Sequence, residues 1–287
     1  MQTDLFGNTI VETSKVINVS SVPQRSPFRY PGGKTWLVPQ ARKWFKSCIG
    51  DKLLIEPFCG GGIIGLTAAF ELYFPHILFS EIDKDIAAVW KTMLNDDCNW
   101  LVKQIYSFEP TRDNLISIID KPEKDCKELA LATILRNRTC HGGILAKGSG
   151  LMKKGENGKG MFSRWYSSTI AKRIEAIHQY SSRMSFIEGD AFDVIQQHMD
   201  DSDTAFFIDP PYTIAGKRLY THFDIDHHKL FDLVSNIKGH YMLTYDNVED
   251  VRKMAKQHRL QYCTIPMQTT HLIVKKELII SDNFDWL

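Results

Sequence analysis

The chain has 287 residues, of which 43% are hydrophobic and 24% charged, and its formal net charge is +1. That length suits one large domain or two small ones, and the apolar fraction supports a packed core over a disordered chain. No stretch approaches the run of about 18 apolar residues that crosses a bilayer. The polar first 20 residues lack the charged-then-apolar pattern of a secretion signal. The near-neutral total lends no support to a polyanionic partner, but distribution counts for more than sum. Between Arg136 and Lys172 eight basic residues face a single acid, Glu156, a local excess of +7. The six cysteines stand at 48, 59, 98, 126, 140 and 263 without a C-x-x-C pair. Reduced thiols and no metal are the expectation.

In chain order, residues 1–24 show no clear periodicity and read as an arm. Leu53-Leu54-Ile55 is a short apolar run that ends at Glu56 and a Gly-rich turn, the pattern of a buried strand. A helix is expected over 63–73, a second buried strand at Ile77-Leu78-Phe79, and another helix over 86–94. This β-turn-α-β-α run begins a doubly wound α/β sheet. From 96 to 180 the pattern changes. Residues 129–135 and 168–180 are helical, but 141–160 are rich in Gly, Lys and Ser, as an inserted module with an exposed loop would be. Strands resume at Ser185-Phe186-Ile187, at 205–208 and at 241–244. Two alternating segments around Thr269-Thr270-His271 predict a terminal β-hairpin. The expected division is therefore an arm (1–24), a catalytic domain (25–95 and 181–287) and an insert (96–180).

Four motifs carry chemistry. In Glu56-Pro57-Phe58-Cys59-Gly60-Gly61-Gly62 the glycines let the backbone turn tightly against a ligand, but the spacing is not G-x-G-x-x-G. An acid at the strand end suits an ammonium group better than a phosphate, which fits S-adenosylmethionine. Glu81 and Asp83 end the next strand. Glu81 is placed to accept hydrogen bonds from the ribose hydroxyls of an adenosine, and Asp83 to cap the following helix. Asp209-Pro210-Pro211-Tyr212 follows the strand at 205–208. Two prolines remove two N–H donors and leave acceptors. Asp209 and the Pro210 carbonyl can take both protons of an exocyclic amine and direct its lone pair at a methyl donor. Tyr212 offers a ring on which an extruded base can stack. In Phe28-Arg29-Tyr30-Pro31-Gly32-Gly33-Lys34 the lysine can meet a carboxylate, and Gly189-Asp190 is a weaker candidate for the same pocket.

These motifs, in this order, resemble the Dam-type (α-group) DNA adenine N6-methyltransferases. The likeness extends to Arg136-Asn137-Arg138, Phe162-Ser163-Arg164-Trp165-Tyr166, Leu243-Thr244-Tyr245-Asp246-Asn247 and Lys275-Lys276-Glu277-Leu278, and so covers about 26–282. It implies a Rossmann-like methyltransferase sheet with a C-terminal β-hairpin and a mostly helical target-recognition insert. It further implies S-adenosylmethionine as cofactor, with Tyr30, Lys34, Glu56, Phe58, Gly60, Gly62, Glu81, Asp83, Asp190 and Asp209 at its site. Asp209, Pro210 and Tyr212 would be catalytic. Arg29, Asn137, Arg138, His141, Lys153, Lys154 and Arg164 would contact double-stranded DNA. Thr139 and His141 stand where Dam itself has tyrosines, which leaves the recognised sequence open. A monomer in the cytoplasm of a bacterium, or encoded by a phage, is expected, with no membrane and with any cognate restriction endonuclease acting separately. N4-cytosine methylation and an inactive DNA-binding homologue are the alternatives.

Overall fold

The computed structural model describes residues 2–3, 9–10, 19–29, 33–145, 149–155, 158, 160–212, 224–268 and 274–287. Tyr30, Lys147, Lys159 and the hairpin tip at 269–271 lie outside them. Within the arm, β1 (Gln2–Thr3) pairs antiparallel with β2 (Thr9–Ile10).

Seven further strands form one sheet: β3 (Leu53–Glu56), β4 (His76–Glu81), β5 (Met184–Glu188), β6 (Thr204–Ile208), β7 (His240–Asp246), β8 (Gln261–Gln268) and β9 (Val274–Ser281). Their order is β5-β4-β3-β6-β7-β9-β8. The first five are parallel, and β9 runs antiparallel between β7 and β8, which makes the expected terminal hairpin. Successive residues of a strand point to opposite faces, and both faces are covered. Leu54, Ile77, Phe79, Ala205, Phe207 and Met242 pack into one apolar cluster. Ile55, Leu78, Phe206, Ile208 and Leu243 pack into the other. That explains why the central strands read as continuous apolar runs rather than alternating ones.

The first cluster holds α1 (Val38–Ser47), α2 (Ile63–Phe70) and α3 (Lys84–Leu94). The second holds α8 (Ala191–His198), α9 (His227–Ser235) and α10 (Glu249–Gln257). Helix α2 stops at Phe70, short of the expected 73, because Leu72 turns left-handed at φ 60 and the Tyr73 amide folds back to the Ala68 carbonyl. The segment 96–180 contributes α4 (Cys98–Ser107), α5 (Arg112–Ile119), α6 (Cys126–Thr139) and α7 (Ser167–Gln179). Asp125 and Glu128 form a reciprocal capping box that starts α6. Leu101, Leu131, Ile134, Ile170 and Ile174 join Phe79 and Trp90 in one cluster, so the core runs on into this segment. Its loop region includes an antiparallel bridge between Cys140 and Leu151.

The chain leaves β3 for β4 on one side and continues from β6 to β7 on the other. The carboxyl ends of β3 and β6 therefore flank the point where strand order reverses, where open α/β sheets leave a crevice.

Candidate active site

That crevice is a cleft of about 1700 Å³. One wall is built by strand ends and backbone. Glu56, the last residue of β3, is buried and accepts the Gly65 amide at 2.7 Å. Burial pushes its carboxyl well above the ordinary range. Glu81 ends β4 and accepts amides from Gly60 (3.0 Å), Ile82 (3.0 Å) and Asp83 (3.1 Å). Burial raises it to about 7 despite those bonds. A carboxylate has about four acceptor positions, so Glu81 has room for one further donor rather than the two expected. Asp83 caps α3 through the Asp85 amide, and Asp190 caps α8 through the Phe192 amide. Both also line the cleft. Gly62 takes φ 63, and a Cβ there would stand 2.5 Å from the Trp90 ring. The indole that fills this space donates to the Gly60 carbonyl at 2.9 Å.

The opposite wall is held by side chains. Asp209 follows β6, and its Oδ1 accepts from the Thr244 hydroxyl at 2.7 Å and from the Lys34 ammonium at 2.9 Å. Its Oδ2 has no such partner among the described residues. Lys34 opens a 3₁₀ turn before α1 and also lies 3.4 Å from Glu277 on β9. Burial works against its charge, but Asp209 and Glu277 outweigh that and hold its pKa above the usual value. Glu277 accepts the Tyr212 hydroxyl as well. The Tyr212 ring stacks on Tyr245, with centroids 5.8 Å apart, and the Lys34 ammonium lies 4.9 Å from its centre. The ring expected to receive a base is thus also engaged on the protein side, where it braces the acceptor group. Lys34, expected to meet a ligand carboxylate, is instead committed to two protein carboxylates.

The basic candidates divide. Arg29 and Arg138 line the cleft, joined by Arg173 of α7. Arg138 is buried and donates to the Pro27 carbonyl, which corrects its place among the residues expected to touch DNA, and Arg173 donates to the Ser26 carbonyl. Burial, and then Arg173, Arg29 and Arg164, lower Arg138 to about 10. Asn137 is 1% exposed, which corrects its place among residues expected to touch DNA. It lies in α6, and its amide bonds the Arg29 N–H (2.8 Å), the Arg29 carbonyl (2.9 Å) and the Gly143 carbonyl (2.8 Å). Thr139, one of the two positions that depart from the family pattern, is buried in the same helix. His141 is exposed on the turn that follows. Lys153 and Lys154 are exposed and, like His141 and Arg164, stand outside the cleft lining. Sequence reasoning gave no role to Glu277, Thr244, Tyr245 or Arg173. The first three lie in segments that carry the family likeness, and that was the available signal.

A family model described as D12 class N6 adenine-specific DNA methyltransferase matches residues 30–277. The chain is similar to the Type II methyltransferase M.MjaIII of Methanocaldococcus jannaschii, 24% identical over 227 residues, which cover 70% of this chain and 75% of that one. It is also similar to the DNA N-6-adenine-methyltransferase of Escherichia phage P1, 25% identical over 199 residues, or 66% of this chain and 24% of that much longer protein. Among solved structures, the rRNA methyltransferase AviRa from Streptomyces viridochromogenes aligns over 88% of this chain and 85% of its own, with 13% identity and a TM-score of 0.38.

Proposed function

The chain belongs to the D12 class N6 adenine-specific DNA methyltransferase family, and from that premise we propose how its cleft divides the work. One wall holds the methyl donor and the other holds the adenine amine. The observation that carries this is the state of Asp209: both of its described partners sit on Oδ1, which leaves Oδ2 as an acceptor in the cleft.

The donor wall fits S-adenosylmethionine. Two carboxyls, the buried Glu56 and the half-buried Glu81, are held by backbone amides with no cation bonded to either among the described residues. Both have pKa values raised by burial, so a nearby positive charge would favour their ionised forms. Glu56 is the residue for the ammonium end. Glu81 takes one ribose hydroxyl, and Asp83, next along the same wall, offers a carboxylate oxygen for the other. Phe58 and Gly62 shape the floor, Gly60 acts behind it through its amide on Glu81, and Asp190 closes the side. When bound, the cofactor supplies an electrophilic methyl group.

The residues of the other wall prepare the amine. Asp209 Oδ2 and the Pro210 carbonyl accept hydrogen bonds from its two N–H groups, which draws the lone pair out of conjugation with the ring and toward the methyl donor. Thr244 and Lys34 fix the carboxylate before substrate arrives, so little reorganisation is left for the reaction. Lys34 also pairs with the Asp209 carboxylate, and a charged acceptor makes the stronger hydrogen bond. Tyr212, tied to Glu277 and Tyr245, closes the face behind the base.

Asp209 lies inside a cleft where a stacked base cannot reach it, which supports a flipped-out adenine in double-stranded DNA. Arg29 and Arg164, with Lys153 and Lys154 on the segment 96–180, are the basic groups for the duplex, and His141 is the exposed candidate for base contact. We read the enzyme as a cytoplasmic monomer of a bacterium or phage, acting apart from any cognate restriction endonuclease. No helix among the described residues is long and apolar enough to cross a membrane. Base-resolution sequencing of DNA from cells expressing the protein tests this reading. N6-methyladenine at one short motif is expected, and N4-methylcytosine in its place would overturn it.

A further inference from the structure

The edge of the sheet opposite the cleft carries a second set of ligand-type side chains. Helix α1 ends at Ser47, and Cys48-Ile49-Gly50-Asp51 makes a turn before β3 in which the Asp51 amide donates to the Cys48 carbonyl at 3.1 Å. Gly50 adopts φ 111, a conformation that a side chain would resist. His240 begins β7 and pairs in register with Ala205, beside Leu54 of β3, which brings it to the same edge. One ligand atom each from Cys48, Asp51 and His240 lies within 4.8 Å of the other two.

Three observations point to a cation here. The Asp51 Oδ2 atom is buried and has no hydrogen-bond partner among the described residues, a costly state for a carboxylate oxygen. His240 is already oriented, with Nδ1 2.8 Å from Asp282 Oδ2, and Asp282 is itself held by the Tyr241 amide and the Asn283 side chain. A carboxylate bonded to one ring nitrogen, leaving Nε2 free, is how metal-ligating imidazoles are fixed. Finally, Asp201, Asp203 and Asp282 all act electrostatically on Asp51, whereas the one lysine ion-paired to this group, Lys52, is spent on Asp203.

We propose that Cys48, Asp51 and His240 bind one divalent cation, with zinc the best match and water in the fourth position. A thiolate and an imidazole select zinc over magnesium or calcium, which prefer oxygen ligands. On binding, the Cys48 S–H bond breaks, its proton passes to water, and the sulfur electron pair forms the bond to the metal. Nothing is oxidised or reduced. The ion ties the end of α1 to the start of β7, at the opposite end of the strands from the cleft.

The test is a Co²⁺ titration of the full-length protein freed of metal. One equivalent is expected to produce visible d–d bands and a near-ultraviolet thiolate-to-metal band, and Zn²⁺ to bleach both. Cys48→Ser should lose the near-ultraviolet band. Asp51→Asn, which keeps the turn, should weaken binding at least about tenfold. Saturating Zn²⁺ should raise the melting midpoint by about 5 °C in the unmodified chain and not in Asp51→Asn. No cobalt spectrum in the unmodified chain, or the same spectrum in both variants, would overturn the proposal. The readout is the ion's own spectrum, so it stands apart from methyl transfer.

Discussion

The two walls of the cleft are built on different plans. On the donor wall, Glu56 and Glu81 are held by amides within nine residues of Glu56 or on the next strand turn, and each carboxyl belongs to a local motif. On the acceptor wall, Asp209, Lys34, Thr244, Tyr212 and Glu277 hold one another from separate stretches of chain. Backbone amides are placed by the fold and survive most point substitutions, whereas a side-chain network can be taken apart one member at a time. The donor wall should therefore fail through shape and the acceptor wall through charge.

The largest effect is expected where the acceptor wall meets substrate. Asp209→Ala should lower kcat by at least about 10²-fold, the scale for one preorganised polar group, while the cofactor dissociation constant stays within a few-fold. Single-turnover methylation of an oligonucleotide with labelled cofactor would measure the first, and a near-normal rate would remove Asp209 from its assigned role. On the donor wall Gly62→Ala places a Cβ 2.5 Å from Trp90 on a left-handed backbone. It should cost at least about 2 kcal/mol in a urea melt and weaken cofactor binding. A stable variant with normal binding would show that this wall tolerates changes of shape.

Glu277→Gln keeps the size of the side chain and removes its charge from Lys34 and Tyr212. It should lower kcat about tenfold, the scale of one charge-assisted hydrogen bond, with little change in KM for DNA. An equal loss in both constants would mean that Glu277 serves binding rather than positioning. Glu81 gives a pH signature. Its folded pKa is raised to about 7 by burial, so its contribution to stability is fully present below the unfolded value and is lost as pH rises through the folded one. The ligand-free protein should melt lower at pH about 8 than at pH about 6, and Glu81→Gln should reduce that difference. Cofactor binding should run the other way, tightening as the carboxylate ionises. Calorimetry at the two pH values that shows no change would take Glu81 out of the site. The smallest effect concerns the exposed loop. Neutralising Lys153 and Lys154 should reduce the salt slope of DNA binding by about 2, close to one unit for each phosphate that a lysine no longer neutralises. An unchanged slope would place both lysines away from the duplex.

This contrast also explains how much could be read before the fold was known. The strands of the sheet were legible because burial on both faces leaves unbroken apolar runs such as 205–208. The donor wall was legible because its glycines and acids are neighbours in sequence. Asp209 was legible through its prolines. Glu277 was not, because nothing in Lys275-Lys276-Glu277-Leu278 tells a buried glutamate from an exposed one; only the pairing of β9 between β7 and β8 carries it to Lys34. Asn137 misled for the opposite reason. An asparagine between two arginines reads as a DNA contact, but helical spacing turns it inward beneath Arg29. The end of α2 was misjudged because a left-handed leucine leaves no mark in composition.

The inward-turned asparagine has a consequence for how such an enzyme changes its target. Its one amide clasps the backbone of Arg29 on one side and the carbonyl of Gly143 on the other. Arg29 lies five positions before the lysine that steadies Asp209, and Gly143 closes the turn that presents His141. On the proposed reading, in which this turn faces the target base, a substitution that reshapes the turn is expected to disturb the Asn137 clasp on Arg29. A lineage that drifts to a new site should then carry compensating changes near residue 29.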